Sequence, residues 1–300
     1  MTSLTHLPPI EKLSRNVIRI LACNPGPMTL QGTNTYLVGT GRKRVLIDFG
    51  DLETAEAYVK RLDSVLSKEN ATIEHLIVTH WHIDHIGGVE PVRNLIKKLF
   101  PMDKQPILWK LPRASDDTDR SDFEKFIQWK FLKDDQVIEV EGAKLQIKYT
   151  PGHASDHACL LLQDENILFS GDCILGEGTS IFEDLHEYML SLNKILKLQP
   201  KAIYLGHGPV LDDPVPRIQH YIKLRQQKEK KILQTLQEQG SDKSMTEMDI
   251  VKIIHTNKYK TSDEQWLAAA YMVKYHLQKL EKEGKVLQNK DGWSSIKSKI

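Results

Sequence analysis

The sequence predicts a layered α/β domain over residues 1–215, followed by a basic helical domain over residues 216–300. In the first part, short β-rich runs alternate with amphipathic helical stretches, which is typical of packed layers of strands and helices. The second part is polar and rich in helical patterns, and its net charge has the opposite sign. The 300 residues are 40% apolar, so the chain can bury a substantial core and predominant disorder is not expected.

Strands are predicted wherever a short β-rich run is bounded by glycine, proline or asparagine. They fall at residues 17–22, 34–38, 44–47, 75–79, 106–109, 136–140, 144–149, 158–163, 167–169 and 202–205. Apolar residues with a helical period predict helices at 55–66, 89–99 and 183–198.

The tail predicts helices followed by a terminal hairpin. Residues 217–239 form a long polar helical pattern. Thr246 and Ser262 each stand three residues before a polar partner, Asp249 or Gln265, which is the arrangement of a capping box at a helix start. A D-G turn signal at 291–292 joins two short β-rich runs. Two interpretations stay open: a winged-helix module, or a small helical cap that only packs on the first domain.

The charge is divided unevenly along the chain. The net charge is +1, but residues 217–300 hold 17 basic and 10 acidic residues, a net of +7 that leaves −6 for the rest. A basic tail favours a polyanionic partner, although lysine-rich helices that are merely soluble explain the same count. The three unpaired cysteines, Cys23, Cys159 and Cys173, indicate a reducing compartment. The longest apolar stretch, residues 266–273, is shorter than the roughly 18 residues of a membrane span, so no membrane insertion is expected.

The strongest chemical signal is the string THWHIDHIGG at residues 79–88, directly after an apolar strand. Buried histidines and aspartates need hydrogen-bond partners, and a cluster of metal ligands satisfies them together. Imidazole and carboxylate suit Zn²⁺ or Fe, and the spacing of His80 and His82 places both rings on one side of an extended loop. Asp84 and His85 are expected to face a second ion. Gly87 and Gly88 are expected to permit a tight backbone turn.

That string resembles the signature of the metallo-β-lactamase fold hydrolases, and later family elements recur in order at TPGH 150–153, FSGD 169–172 and LGHG 205–208. The resemblance implies a four-layer αββα sandwich with a C-terminal winged-helix-like helical domain. It also implies two Zn²⁺ ions, although this ligand set accommodates Fe or Mn. The implied ligands of the first ion are His80, His82, His153 and Asp172, and those of the second are Asp84, His85, Asp172 and His207.

The family resemblance implies a hydrolase. Two ions about 3.5–4 Å apart would activate a bridging hydroxide and stabilise an oxyanion. Asp84 is the expected catalytic carboxylate, holding one ion and accepting the proton of the water. Asp48 is expected to orient the ligand loop from behind.

The substrate is less constrained by the motifs. Asp172 stands where common zinc β-lactamases have cysteine, and the 34 residues between Asp172 and His207 cannot hold the inserted domain of some family nucleases. A thioester hydrolase resembling glyoxalase II and a nuclease stay open, beside a non-enzymatic winged-helix binder with a vestigial metal site. Residues 23–36 and 171–179 resemble animal family members, which implies a mitochondrial, zinc-dependent endoribonuclease that acts on single-stranded RNA.

These implications extend to partners and location. RNA phosphates are expected to contact Lys274, Lys279 and Lys282. Tyr271, Tyr275 and Trp293 are candidates for base stacking, although their spacing is more typical of a helix core. The expected compartment is the mitochondrial matrix, with the cytoplasm as the alternative, and both a monomer and a homodimer stay open.

Overall fold

The computed structural model describes residues 4–114, 127–240, 243–254 and 262–296. Two β-sheets pack face to face in the first part of the chain. The first sheet has the strand order β1-β2-β3-β4-β5-β6-β7. Its strands are Ile10–Lys12 (β1), Val17–Leu21 (β2), Asn34–Val38 (β3), Lys43–Ile47 (β4), Thr72–Ile77 (β5), Ile107–Lys110 (β6) and Lys130–Phe131 (β7).

The second sheet has the strand order β12-β11-β10-β9-β8. Its strands are Val137–Val140 (β8), Ala143–Tyr149 (β9), Ala158–Leu162 (β10), Ile167–Phe169 (β11) and Ala202–Tyr204 (β12). Helices cover the outer faces of both sheets and continue into the tail. They are Ala55–Glu69 (α1), Ile83–Ile86 (α2), Val89–Leu99 (α3), Leu185–Leu198 (α4), Pro214–Gln239 (α5), Glu247–Ile254 (α6) and Asp263–Lys282 (α7).

Three apolar cores hold the layers together. Leu62 on α1 and Val92 on α3 pack against the outer face of the first sheet. Between the sheets, Val38 and Leu160 belong to one buried cluster. On the far side, Leu192 of α4 belongs to a cluster that also includes side chains of α5. Each fully buried aliphatic side chain contributes about 1.5–3 kcal/mol, so the layers are fixed by burial. The predicted four-layer αββα sandwich is confirmed.

The tail has a core of its own, centred on the buried Trp293. A short hairpin, Val286–Asn289 (β13) and Gly292–Ser295 (β14), closes over α6 and α7. Both capping boxes form: Asp249 N–H donates to the Thr246 hydroxyl, and Ser262 and Gln265 bond reciprocally. Helix α5 runs through the predicted boundary at 215/216, and α4 contacts α7. The exact boundary stays a prediction.

Most predicted elements form, with shifts of a few residues at their ends. The predicted strands 34–38 and 167–169 and the helix 89–99 agree with β3, β11 and α3. Helix α5 begins at Pro214 rather than at 217, because proline is favoured in the first turn of a helix. The pattern missed β1, α2 and β7, which have two to four residues each and are too short for periodicity to be read. None of the described helices is long and apolar enough to cross a bilayer.

The glycine pair after α2 forms the predicted turn into α3, but the backbone angles of the turn are not the reason that glycine is needed. Gly87 has φ −59° and Gly88 has φ −80°, which are ordinary right-handed values. A Cβ atom on Gly88 would overlap the carbonyl oxygen of Phe49. The glycines are therefore required by the close approach of two backbone segments beside the His85 loop.

Substituting Gly88→Ala is expected to lower the free energy of unfolding by about 2–3 kcal/mol, because the backbone must move to admit the methyl group. Gly284→Ala is the control: its φ is +70° but no atom lies within 4 Å of the added Cβ, so about 1 kcal/mol is expected. Urea unfolding of the metal-free protein, followed by circular dichroism, compares the two variants. Equal losses would contradict the role assigned to close approach.

Candidate metal centre

Side chains of ligand type gather where the strands of both sheets end. His80 and His82 follow β5, Asp84 and His85 lie on α2, and His153, Asp172 and His207 follow β9, β11 and β12. Strands β9, β11 and β12 run in one direction, because β10 is antiparallel to β9 and β11 while β12 is parallel to β11. Their carboxyl ends therefore lie at the same edge of the second sheet. The structure brings together all seven residues that the sequence singled out as ligands.

The first group consists of three imidazoles. His80 Nε2 lies 2.9 Å from His82 Nδ1, and His153 Nε2 lies 3.2 Å and 3.0 Å from those two atoms. Nitrogen ligands at about 2.0–2.1 Å from a tetrahedral ion lie about 3.3 Å apart. The three nitrogens thus have the spacing of three corners of a tetrahedral metal site.

The second group combines one carboxylate with two imidazoles. Asp84 Oδ2 lies 3.3 Å from His85 Nε2 and 3.1 Å from His207 Nε2, and the two imidazole nitrogens are 3.3 Å apart. Asp172 lies between the groups: Oδ1 is 3.4 Å from His85 Nε2, and Oδ2 is 3.4 Å from His207 Nε2 and 3.8 Å from His153 Nε2. Oδ1 of Asp172 is buried and accepts no hydrogen bond among the described residues. The geometry fits two ions that share this carboxylate.

The hydrogen bonds on the outer side of the rings determine where the lone pairs point. Thr79 Oγ1 donates to Asp48 at 3.0 Å and can accept from His80 Nδ1 at 2.9 Å. His153 Nδ1 lies 2.9 Å from the carbonyl oxygen of Ile181, to which it must donate. The Nε2 atoms of His80 and His153 therefore carry lone pairs, and they face each other at 3.2 Å. Two acceptors cannot bond each other, but a metal cation satisfies both.

The two groups differ in their affinity for protons. Burial, with His153 next, lowers the pKa of His82 to about 4, so this imidazole is neutral and ready to bind a metal. Burial also opposes the charged form of His207, but Asp172 and Asp84 raise its pKa to about 9. In the second group a proton and a metal ion therefore compete for the same lone pair, and metal binding there releases protons.

Asp48 connects the ligand loop to the first sheet. Its backbone is left-handed, with φ 60°, a conformation that aspartate tolerates better than most residues. The carboxylate accepts from Thr79 N–H at 2.8 Å and lies 2.7 Å from His85 Nδ1. It thereby fixes the orientation of the His85 ring and leaves Nε2 free to act as a ligand.

His157 is the functional residue that sequence reasoning missed. It is fully buried, its Nε2 accepts from Asp172 N–H at 3.2 Å, and its Nδ1 lies 2.9 Å from Thr150 Oγ1. It therefore holds the backbone of the shared carboxylate rather than packing as an ordinary core residue. Its position four residues after His153 was the only signal in the sequence.

A cavity of about 410 Å³ opens beside the ligands. The ligand side chains of His82, Asp84 and His207 line it, together with apolar side chains that include Leu175 and Ile181. Asp84, which was predicted to be catalytic, faces this cavity and is 19% exposed at its side chain. A substrate in the cavity can reach the carboxylate and the ligand atoms together.

The three lysines predicted to bind substrate lie in different environments. Lys279 is buried, and its Nζ pairs with Glu229 and Glu283. Its predicted role in RNA binding is therefore wrong, because two carboxylates already surround the ammonium group. Lys282 is about half exposed and pairs with Asp184, whereas Lys274 is exposed. For these two residues RNA binding stays a prediction.

An αββα sandwich with five histidines and two aspartates at one edge defines a class of metal-binding α/β hydrolases. The family described as the Metallo-beta-lactamase superfamily matches residues 28–207, and the chain belongs to it. The Beta-lactamase associated winged helix domain matches residues 246–293. The winged-helix interpretation of the tail is therefore confirmed over the helical cap.

Relatives of known name place the chain more closely. It is 46% identical to the Beta-lactamase-like protein 2 homolog of Caenorhabditis elegans, over 95% of this chain and 91% of the relative. The identity to the Drosophila melanogaster homolog is 44%, over 95% and 94%. The predicted resemblance to animal family members is confirmed. A protein of Aspergillus fumigatus named Atrochrysone carboxyl ACP thioesterase is 38% identical, over 78% of this chain and 69% of that protein.

Solved structures support the same fold. A beta-lactamase domain protein from Burkholderia ambifaria superposes with a TM-score of 0.72 at 17% identity, over 96% of this chain and 93% of that chain. A metallo-beta-lactamase family protein from Thermus thermophilus gives a TM-score of 0.67 at 19% identity, over 95% and 100%. The likeness spans the sandwich and most of the tail.

Substituting Asp48→Asn is expected to weaken metal binding about 10–100-fold, because the amide has one acceptor atom where the carboxylate has two. Asp164→Asn, in an exposed turn, is the matched control. Competition with a chromophoric zinc chelator measures both affinities. Unaltered zinc affinity in the Asp48 variant would refute its orienting role.

Proposed function

We propose that this chain is a zinc-dependent endoribonuclease that cleaves phosphodiester bonds of single-stranded RNA at the metal centre. The observation that carries the proposal is the position of positive charge beside the cavity. Arg217 Nη2 donates to Gly178 O at 2.8 Å, and Arg225 Nη2 donates to Ser180 O at 3.1 Å. Both arginines belong to α5, and they hold the cavity wall. Basic side chains next to a catalytic cavity suit a polyanionic substrate.

Aromatic side chains on the tail provide limited support. Trp293 is buried at 1% exposure, and Tyr275 packs edge-to-face on Phe182, with ring centroids 5.6 Å apart. Of the three aromatics considered for stacking, only Tyr271 is well exposed, at 64%, and it borders the same shallow pocket as Lys274. A base stacked on Tyr271 with a phosphate near Lys274 matches the usual mode of single-strand binding.

The residues of the centre have separate tasks in this reaction. Zn²⁺ ions held by the seven ligands would supply Lewis acidity and a water activated near neutral pH. Although burial opposes it, His85 and His207 keep the pKa of Asp84 below its usual value, so this carboxylate is ionised. Asp84 faces the substrate cavity and is placed to accept a proton there. Asp48 and His157 hold His85 and Asp172 in position.

A thioester hydrolase resembling glyoxalase II is the second candidate. The name of the Aspergillus fumigatus relative, a thioesterase acting on a carrier-protein substrate, favours it. Purified protein loaded with zinc should be incubated with labelled single-stranded RNA, single-stranded DNA and a glutathione thioester, each with and without chelator. Chelator-sensitive internal cleavage of the RNA supports the proposal. Thioester hydrolysis without RNA cleavage supports the alternative.

The variants Asp84→Ala and His82→Ala are expected to abolish RNA cleavage, because each removes one ligand of a different group. The exposed residues Asp164 and His220 provide matched controls, Asp164→Ala and His220→Ala. Initial rates on a labelled oligoribonucleotide are compared after circular dichroism has verified folding. Cleavage at the wild-type rate in either ligand variant would place the reaction elsewhere.

The proposal includes a compartment, the mitochondrial matrix, with the cytoplasm as the alternative. Protease treatment of isolated mitochondria from cells that express a C-terminally tagged chain tests it. Protection of the tag until the inner membrane is opened supports the matrix, and recovery in the cytosolic fraction rejects it.

A further inference from the structure

His276 on α7 is buried without a hydrogen-bond partner. Its side chain has 0% exposure, and neither Nδ1 nor Nε2 is bonded to any described residue. An imidazole has a donor and an acceptor, and leaving a buried polar group unpaired costs about 1–3 kcal/mol. His276 lies outside the metal centre, so the role of a metal ligand does not account for it.

The contacts between α7 and α5 show which part of α5 the His276 side chain faces. Lys279 pairs with Glu229, and one turn earlier Tyr275 packs edge-to-face on Phe182, which lies under Arg225 at 5.2 Å. Helices α5 and α7 therefore run in the same direction where they pack against each other. His276 shares the buried face of Lys279, three residues away, and so faces the turn of α5 that contains residues 225–228.

That turn of α5 contains basic side chains that pair with no carboxylate among the described residues. Arg225 and Lys228 have no ion pair among the described residues, and Arg225 Nε is buried and unpartnered. Burial, then Arg225, lowers the pKa of Lys228 below its usual value. Burial, followed by Lys228 and Arg225, lowers the pKa of His276 to about 3. Arg225 and Lys228 thus repel each other and disfavour a charge on His276, and an anion between the three groups would offset this repulsion.

This basic cluster lies directly behind the cavity of the metal centre. Arg225 donates to Ser180 O at 3.1 Å, and Ser180 Oγ donates to the carbonyl oxygen of Asp172 at 2.6 Å. Ser180 itself lines the cavity. One residue therefore separates the guanidinium group from the space beside the ligands.

We propose that Arg225, Lys228 and His276 form a phosphate-binding subsite, which holds an RNA phosphate next to the one that is cleaved. The inference rests on the endoribonuclease function proposed above. Arginine offers planar paired donors, lysine a point charge and histidine an N–H donor, which together suit the oxygens of one phosphate. The subsite would set the register of the strand relative to the metal centre.

Equilibrium binding of a fluorescent 12-nucleotide oligouridylate to the whole 300-residue chain, with chelator present to prevent cleavage, tests the subsite. Lys228→Ala should weaken binding roughly tenfold, the loss typical of one charged hydrogen bond. It should also reduce the slope of log K against log salt concentration by about 0.7, the share of one phosphate contact on a single strand. Lys228→Arg should retain both. Lys230→Ala, an exposed lysine on another side of α5, is the matched control and should leave the slope unchanged.

His276→Leu provides a second measurement that does not depend on a surface charge. It removes buried polar atoms that have no protein partner, so the thermal midpoint should stay equal or rise while RNA affinity falls. Combined with Lys228→Ala, its effect should be less than additive, because both variants remove contacts to the same phosphate. A lower midpoint with unchanged RNA affinity would assign His276 to packing and overturn the subsite.

Failure of the subsite and failure of the proposed function are distinguishable. If zinc-loaded protein does not cleave RNA, the function is wrong whatever Lys228 does. If it cleaves RNA but Lys228→Ala binds the oligouridylate like the wild type, only the subsite is wrong. A further arm of the experiment compares hydrolysis of acyl-phosphopantetheine and acyl-pantetheine thioesters. A phosphopantetheine substrate is the other source of a phosphate that this subsite could bind. A wild-type preference for the phosphorylated thioester, lost in Lys228→Ala without any effect on RNA, would overturn the RNA assignment.

Discussion

Mutual repulsion between buried ligand atoms is the constraint on which the rest of the structure depends. Lone pairs of His80 and His153 face each other at 3.2 Å, and Asp172 Oδ1 is buried without a hydrogen-bond partner among the described residues. Buried polar groups without partners are costly, so this arrangement persists only if rigid elements impose it. The strand ends supply that rigidity, and Asp48 and His157 fix the ligands through hydrogen bonds to the backbone and to the ring. The three cores of the sandwich thus stabilise a centre that becomes favourable once cations bind.

Much of the sandwich could be predicted because its strands carry their own signals. Runs such as residues 34–38 are bounded by turn residues, and the ligand string 79–88 concentrates too many titratable groups for packing. The failures share one cause, which is that the deciding partner is remote in the chain. Gly88 is required by Phe49, Lys279 is neutralised by Glu229, and His157 supports Asp172. Local patterns do not contain these contacts, and only the folded chain reveals them.

Fewer basic residues of the tail are available to bind an anion than its net charge suggests. Lys279 and Lys282 form ion pairs with carboxylates outside α7, and Lys285 pairs with Glu283. The more exposed pairs of Lys282 and Lys285 add little stability, but all three lysines are less available to a polyanion because carboxylates surround them. Arg225 and Lys228 on α5 have no carboxylate partner among the described residues, and Arg225 bonds to Ser180 in the cavity wall. Net charge therefore favours a polyanionic partner, whereas ion pairing decides which basic residues are available to bind one.

Helix α5 joins the winged-helix module to the chemistry of the sandwich. Arg217, Tyr221 and Arg225 are four residues apart on one face and donate to carbonyl oxygens at Gly178 and Ser180. These bonds hold the segment 178–180, of which Ser180 lines the cavity. Hydrolysis of a phosphodiester and of a thioester demand the same Lewis acidity and the same oxyanion stabilisation from the metal centre. The substrate must then be selected by groups outside the ligand set, and α5 supplies two charged groups, Arg217 and Arg225, that bond to the backbone beside the cavity.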